Sequence, residues 1–175
     1  MKRGIALLLC LALCVVAPSA LANTVTLTEH ASTFDVTVDL PEDGSVTVEN
    51  YNGVPYTFIA FDDPEKPMLY ISIAPTEEYD GSHISTLTQE ELEMLFLTVS
   101  ADMDAPSYSL AQTAAGYDYM MIEDESETDS AILVMIEDGF FIQLSVWDVQ
   151  YSVLTETDMQ TATALLDSMV IIRNE

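Results

Sequence analysis

Residues 130–148 read SAILVMIEDGFFIQLSVWD, and the way they pair decides the fold. Asp138-Gly139 supplies the two residues of a tight turn, where glycine takes the positive φ that a Cβ resists. Folding the stretch about that turn sets Met135 opposite Ile142, Leu133 opposite Leu144 and Ala131 opposite Val146 on one surface. The other surface pairs Ile136 with Phe141, Val134 with Gln143 and Ile132 with Ser145. The first strand is apolar on both faces, whereas the second alternates as far as Trp147. A strand buried on both faces belongs in the interior of a sheet.

Upstream of this hairpin, Tyr117 to Glu123 reads as a further strand, joined to it by the acidic run Asp124-Glu125-Ser126-Glu127-Thr128-Asp129. Earlier still, Phe34, Val36, Val38 and Leu40 alternate with Asp35, Thr37 and Asp39, the pattern of a half-buried strand. Pro41 to Gly44 stops that strand with a turn, after which Val46 to Glu49 is expected to return antiparallel to it. Tyr56 to Phe61 and Met68 to Ala74 extend the meander, separated by a loop with prolines at 64 and 67 that suit no central ladder. Thr24 to Thr28 makes a short leading strand. Ser107 to Thr113 reads as an edge strand or as irregular chain, ended by Gly116.

Two helices interrupt the strands. Thr88-Gln89-Glu90-Glu91 fits a capping box, followed by Leu92, Leu95, Phe96 and Val99 on one face. Thr155-Glu156-Thr157-Asp158 repeats the hydroxyl-plus-carboxylate start, with Met159, Ala162, Leu165, Leu166 and Met169 as its apolar stripe. Val170-Ile171-Ile172 closes the chain as a short strand or tail. This order predicts an α+β class: a twisted antiparallel sheet with two main helices packed against it.

The chain opens on Lys2 and Arg3, an apolar run from Ile5 to Ala17, and Pro18-Ser19-Ala20-Leu21-Ala22. These are the marks of a secretory signal peptide, with cleavage expected after Ala22. Residues 23–175 then form one domain of ordinary size, and the protein is expected to be secreted or extracytoplasmic. Both cysteines, Cys10 and Cys14, leave with the signal, so the domain relies on its core rather than on disulfides. The run is too short to span a bilayer, and no stable membrane insertion is expected after cleavage.

Cleavage removes two of the four basic residues and none of the 30 acids, leaving Lys66 and Arg173 and a formal charge of 2 − 30 = −28. Such a field repels nucleic acid and anionic surfaces and leaves cationic or neutral partners. Carboxylates so crowded are expected to have raised pKa values on balance. The recurrence of valine, isoleucine, leucine, tyrosine and phenylalanine argues against disorder.

Catalytic chemistry finds little footing. A triad from Ser82, His83 and an acid lacks anything to position its base or oxyanion hole. A pair of carboxylates acting on a sugar needs a cleft, to which Trp147, Tyr117 and Tyr119 would add aromatic walls. Asp124, Glu125, Glu127 and Asp129 offer oxygen ligands for calcium, but without the ligand order and turn glycine of an EF-hand. Asp62-Asp63 and Asp102-Met103-Asp104 are weaker clusters. Met121, Met135, Met159 and Met169 fall in apolar patterns and fit core filling better than copper ligation. No residue is assigned as catalytic, cofactor-binding or metal-binding, and no cofactor is expected.

In outline the chain resembles the PsbP-like fold, named for an extrinsic subunit of photosystem II. The residues that carry this are FDVTVDLPE at 34–42, the helix after Thr88, the strands from Tyr117 to Trp147 and the closing LLDSMVII. The IQLSV…LT…LLDSM pattern is also similar to that of small exported bacterial proteins of unknown function. The resemblance implies a non-enzymatic binding or assembly module, here exported and highly acidic, with a protein or cationic partner. The alternative is a carboxylate-dependent hydrolase acting on an extracellular substrate.

Overall fold

Strands dominate because short alternating runs of valine, isoleucine and aromatics are separated every few residues by turn-forming Gly, Pro, Asn and Asp. The computed structural model describes residues 23–27, 34–51, 54–77, 79, 81–137, 139–150 and 153–173. The expected signal segment, His30 and Asp138 lie outside them. The strands are β1 (Asn23–Thr26), β2 (Phe34–Leu40), β3 (Gly44–Tyr51), β4 (Val54–Phe61), β5 (Met68–Pro75), β6 (Pro106–Gln112), β7 (Asp118–Asp124), β8 (Glu127–Glu137), β9 (Phe140–Trp147) and β10 (Val170–Arg173). A 3-10 turn at Ile84–Thr86 precedes helix α1 (Gln89–Val99), and α2 (Glu156–Ser168) lies between β9 and β10.

Seven strands form one antiparallel sheet in the order β3-β4-β5-β9-β8-β7-β6. The β8–β9 register sets Leu133 opposite Leu144, Met135 opposite Ile142 and Val134 opposite Gln143. Gly139 takes φ 77° in the connecting turn, a conformation that only glycine adopts freely. Along β8, Leu133, Val134, Met135 and Ile136 are all no more than 3% exposed, as an interior strand covered on both faces requires. β6 lies at one edge of this sheet, among the described residues paired with β7 alone, and it begins at Pro106, where the missing N–H costs no ladder bond.

The remaining strands make a second antiparallel sheet, β1-β2-β10. This overturns the expected α+β class with two main helices against a single twisted sheet: among the described residues the protein is mostly β, 50% strand against 20% helix, in sheets of three and seven strands. The physical reason lies in β2. Its alternation fixes which side chains point inward but not which strand completes its ladder. β2 bonds to β1 and to β10, and β3 bonds to β4 instead of returning beside β2. Gly44 makes the crossing compact, since a Cβ there would lie 3.2 Å from the Pro41 carbonyl oxygen and 3.3 Å from the Phe61 ring. The closing Val170–Arg173 segment is therefore a paired strand of the smaller sheet.

The two faces of the large sheet are covered unequally. On one face, Leu133, Leu144, Val146, Leu69 and Ile59 pack with β2 and with Ala162, Leu165 and Leu166 of α2. On the other, Met120, Ile122, Val134 and Ile136 pack with Leu92 and Leu95 of α1 and with Ile84. Among the described residues, this second cover lies on the β6–β8 half and reaches Phe141 at the start of β9. Both helices start as their sequences predict. The Thr88 N–H donates to Glu91 Oε2 at 2.7 Å, and the Thr155 N–H donates to Asp158 Oδ2 at 2.7 Å.

Candidate functional site

Alternation along β4, β5 and β9 sends Ile59, Leu69, Ile71 and Val146 into the core, and therefore sends Phe58, Tyr70 and Trp147 to the opposite face. The cross-strand register aligns Phe58 with Tyr70 and Met68 with Trp147. Tyr70 is the hub of the group. Its ring centroid lies 5.1 Å from that of Tyr56, 5.2 Å from Phe58 and 5.9 Å from Trp147, all at tilted angles. Each of the four rings is partly exposed. Among the described residues, α1 packs on the β7–β8 half of this face and does not join the group.

Polar side chains frame the rings. Glu49 is exposed and stands directly opposite Tyr56 in the β3–β4 ladder, and exposed Thr47 stands opposite Phe58. At the end near Met68 and Trp147, the 62–67 loop carries exposed Asp62, Asp63 and Glu65. Lys66 of that loop is already engaged: its ammonium lies 2.7 Å from Asp43 Oδ2 and 5.1 Å from the Phe61 ring centroid. The ion pair holds the Asp43 carboxyl below its ordinary pKa through its hydrogen bond to Lys66. Burial, followed by the neighbouring Tyr56, raises the Tyr70 phenol to about 12. Tyr70 is therefore neutral across the physiological range and presents an uncharged ring and hydroxyl.

The structure separates the aromatics singled out in the sequence. Trp147 joins the open face, while Tyr119 is buried in the α2-side core and Tyr117 packs against that core. The residues that sequence reading passed over are Tyr56, Phe58 and Tyr70. Their signal was positional: aromatics on β4 and β5 at the parity opposite to Ile59 and Leu69.

The acidic segment from Asp124 to Asp129 is largely strand, with only Glu125 and Ser126 between β7 and β8. Asp124 is buried and its carboxylate is occupied by protein donors. It accepts from the Asp104 N–H at 2.9 Å, the Ser126 N–H at 2.8 Å and the Ser126 hydroxyl at 2.6 Å. The Ser126 hydrogen bonds, side chain first, hold its pKa below the ordinary value. Ser85 and then Gln112 do the same for Asp118, and the Thr88 N–H and hydroxyl do so for Glu91. Local donors thus outweigh burial at these carboxylates, which lie below their ordinary values where raised values were expected for the acids on balance. Among the described residues, no three His, Cys, Asp or Glu side chains are placed to hold a metal ion together.

His83 Nδ1 lies 3.0 Å from Glu137 Oε2, and the Ser82 N–H donates to the Tyr79 carbonyl in a turn. The imidazole is thus partnered by an acid from the sheet. Glu137 also lines a cavity of about 210 Å³ with Tyr117, Met135, Leu166 and Met169. A second cavity of about 310 Å³ is lined by Asp39, Leu40, Phe61, Lys66 and residues of α2. Each contributes one carboxylate to its lining, and both fall at or below the small end of ligand pockets.

Fold and face together define a mostly-β, two-sheet protein with a half-covered sheet surface of clustered aromatics. No protein-family model matches the chain, and no curated protein matches it. Among the described residues, no helix is long and apolar enough to cross a membrane.

Proposed function

We propose that this is an exported, highly acidic, non-enzymatic binding module whose working surface is the open face built on Tyr56, Phe58, Tyr70 and Trp147. One observation carries this reading: three rings cluster around Tyr70 on a part of the sheet face that, among the described residues, neither helix covers. Clustered aromatics offer large contact area at little entropic cost and are the common anchors of recognition surfaces. A shallow surface framed by polar groups suits a partner that lies across it. The hydrolase alternative calls for two carboxylates set across a cleft, and each described cavity carries a single one.

Immobilised domain should retain a component of the native extracellular medium. A Tyr70→Leu/Trp147→Leu variant of unchanged circular dichroism should fail to retain it. Equal retention by both proteins would place binding elsewhere, and a saturable hydrolytic activity lost in Glu137→Gln would favour the enzyme.

A further inference from the structure

Resting on that surface as the binding site, we infer that its ligand is a positively charged polypeptide segment, with Lys or Arg side chains laid over the rings of Tyr56, Tyr70 and Trp147. Aromatic faces carry negative electrostatic potential and attract ammonium and guanidinium groups within about 6 Å of the ring centroid. Here the rings are set among acids. Glu49 is the direct cross-strand neighbour of Tyr56, and the loop bearing exposed Asp62, Asp63 and Glu65 joins β4 to β5 at the end of the sheet where Met68 stands opposite Trp147.

The protein already shows this chemistry once within its own chain. Lys66 sits over the Phe61 ring while bound to Asp43, one cation shared between a ring and a carboxylate. Glu49, exposed beside the ring cluster, sets an acid next to aromatic rings in the same way. Charge also decides among occupants. A second copy would bring another 30 acids against the same surface, and an anionic ligand would meet the same field. A neutral sugar would gain hydrogen bonds from the acids that border the rings but no attraction of opposite charge. A basic segment gains from both rings and acids.

Trp147 is the only tryptophan in the chain, so its emission reports on this surface directly. Capped hexa-arginine is titrated at 150 mM sodium chloride, with cellohexaose as the neutral probe. The peptide should change Trp147 emission saturably. Tyr70→Leu, with unchanged circular dichroism, should weaken its binding about tenfold, the loss of one or two ring–cation contacts. Glu49→Gln should weaken it more than Glu123→Gln, which removes the same charge from an exposed position on the sheet's opposite face. That comparison stands even if the tyrosine variant fails to fold.

Equal losses at Glu49 and Glu123 together with no effect of Tyr70→Leu would mean attraction by net charge alone, and would overturn the inference. A Trp147 response to cellohexaose and not to hexa-arginine would also overturn it, while leaving the aromatic face as the binding surface. A response that follows protein concentration without any probe would identify a second copy as the occupant and overturn it too. Failure of both probes together with tyrosine-independent retention from native medium would remove the surface reading itself.

Discussion

Tyr70 on β5 holds its ring centroid 5.9 Å from that of Trp147 on β9, across the ladder that joins the first half of the large sheet to its centre. The contact is built by parity. Leu69 and Ile71 go to the core on either side of Tyr70, and Val146 does so beside Trp147, so both rings must emerge on the other face. Burial among these neighbours, and then Tyr56, also raises the Tyr70 phenol to about 12.

That burial sets an alkaline prediction. Tyr70 has a folded-state value of about 12 against an ordinary 10.0. Its contribution to stability is fully present below pH 10 and is lost as pH rises through 12, because the unfolded chain releases its proton first. Burial raises Tyr119 in the same direction. Between pH 9 and pH 11, Tyr70→Phe should therefore lose less of its denaturant midpoint than the wild type does. Parallel losses would show that Tyr70 is no harder to ionise than an exposed tyrosine.

The hairpin centre is the second test. Leu133 is 1% exposed and packs with Leu144 and the α2-side core. Leu133→Ala should cost about 2–5 kcal/mol in chemical denaturation, through lost transfer energy and the cavity left behind. A cost near zero would contradict the burial of this face.

What the sequence made legible was mostly local. The β8–β9 register follows from one turn and a period of two, and both helix starts follow from a hydroxyl three residues before a carboxylate. What it concealed was non-local pairing. Nothing in Phe34–Leu40 says that its neighbours are a segment just before it and another some 130 residues later. The site was hidden for the same reason. Tyr56, Tyr70 and Trp147 become neighbours only once β4, β5 and β9 are adjacent, so Trp147 was grouped in sequence with Tyr117 and Tyr119, which pack on the other side.

Asp124 should act as an acid-sensitive clasp. It ties the chain at Asp104 to the β7–β8 turn by accepting hydrogen bonds from both. Its folded-state pKa lies below the ordinary 3.8, so its stabilisation is present above pH 3.8 and is lost as pH falls through the folded value. Asp124→Asn should lower the melting temperature at pH 7 and flatten the fall in stability below pH 4. An unchanged acid profile would mean that the carboxylate gains nothing from these donors.

The same occupancy decides how the protein responds to cations. With acids so far in excess, the folded domain confines like charge more closely than the unfolded chain, so sodium chloride should raise its melting temperature by screening. A specific calcium site would add a saturable rise beyond that of magnesium at matched ionic strength. Such a site at the β7–β8 turn needs Asp124 as a ligand, yet its oxygens already accept from Asp104 and Ser126. Glu125 and Ser126 alone separate the two strands, too short a connection to wrap six or more oxygens around an ion. Calcium and magnesium should therefore shift the melting temperature equally in thermal scans at fixed ionic strength. A calcium-only rise abolished by Asp124→Asn/Asp129→Asn would show that the clasp opens to take metal, and would make cation binding a function of this turn.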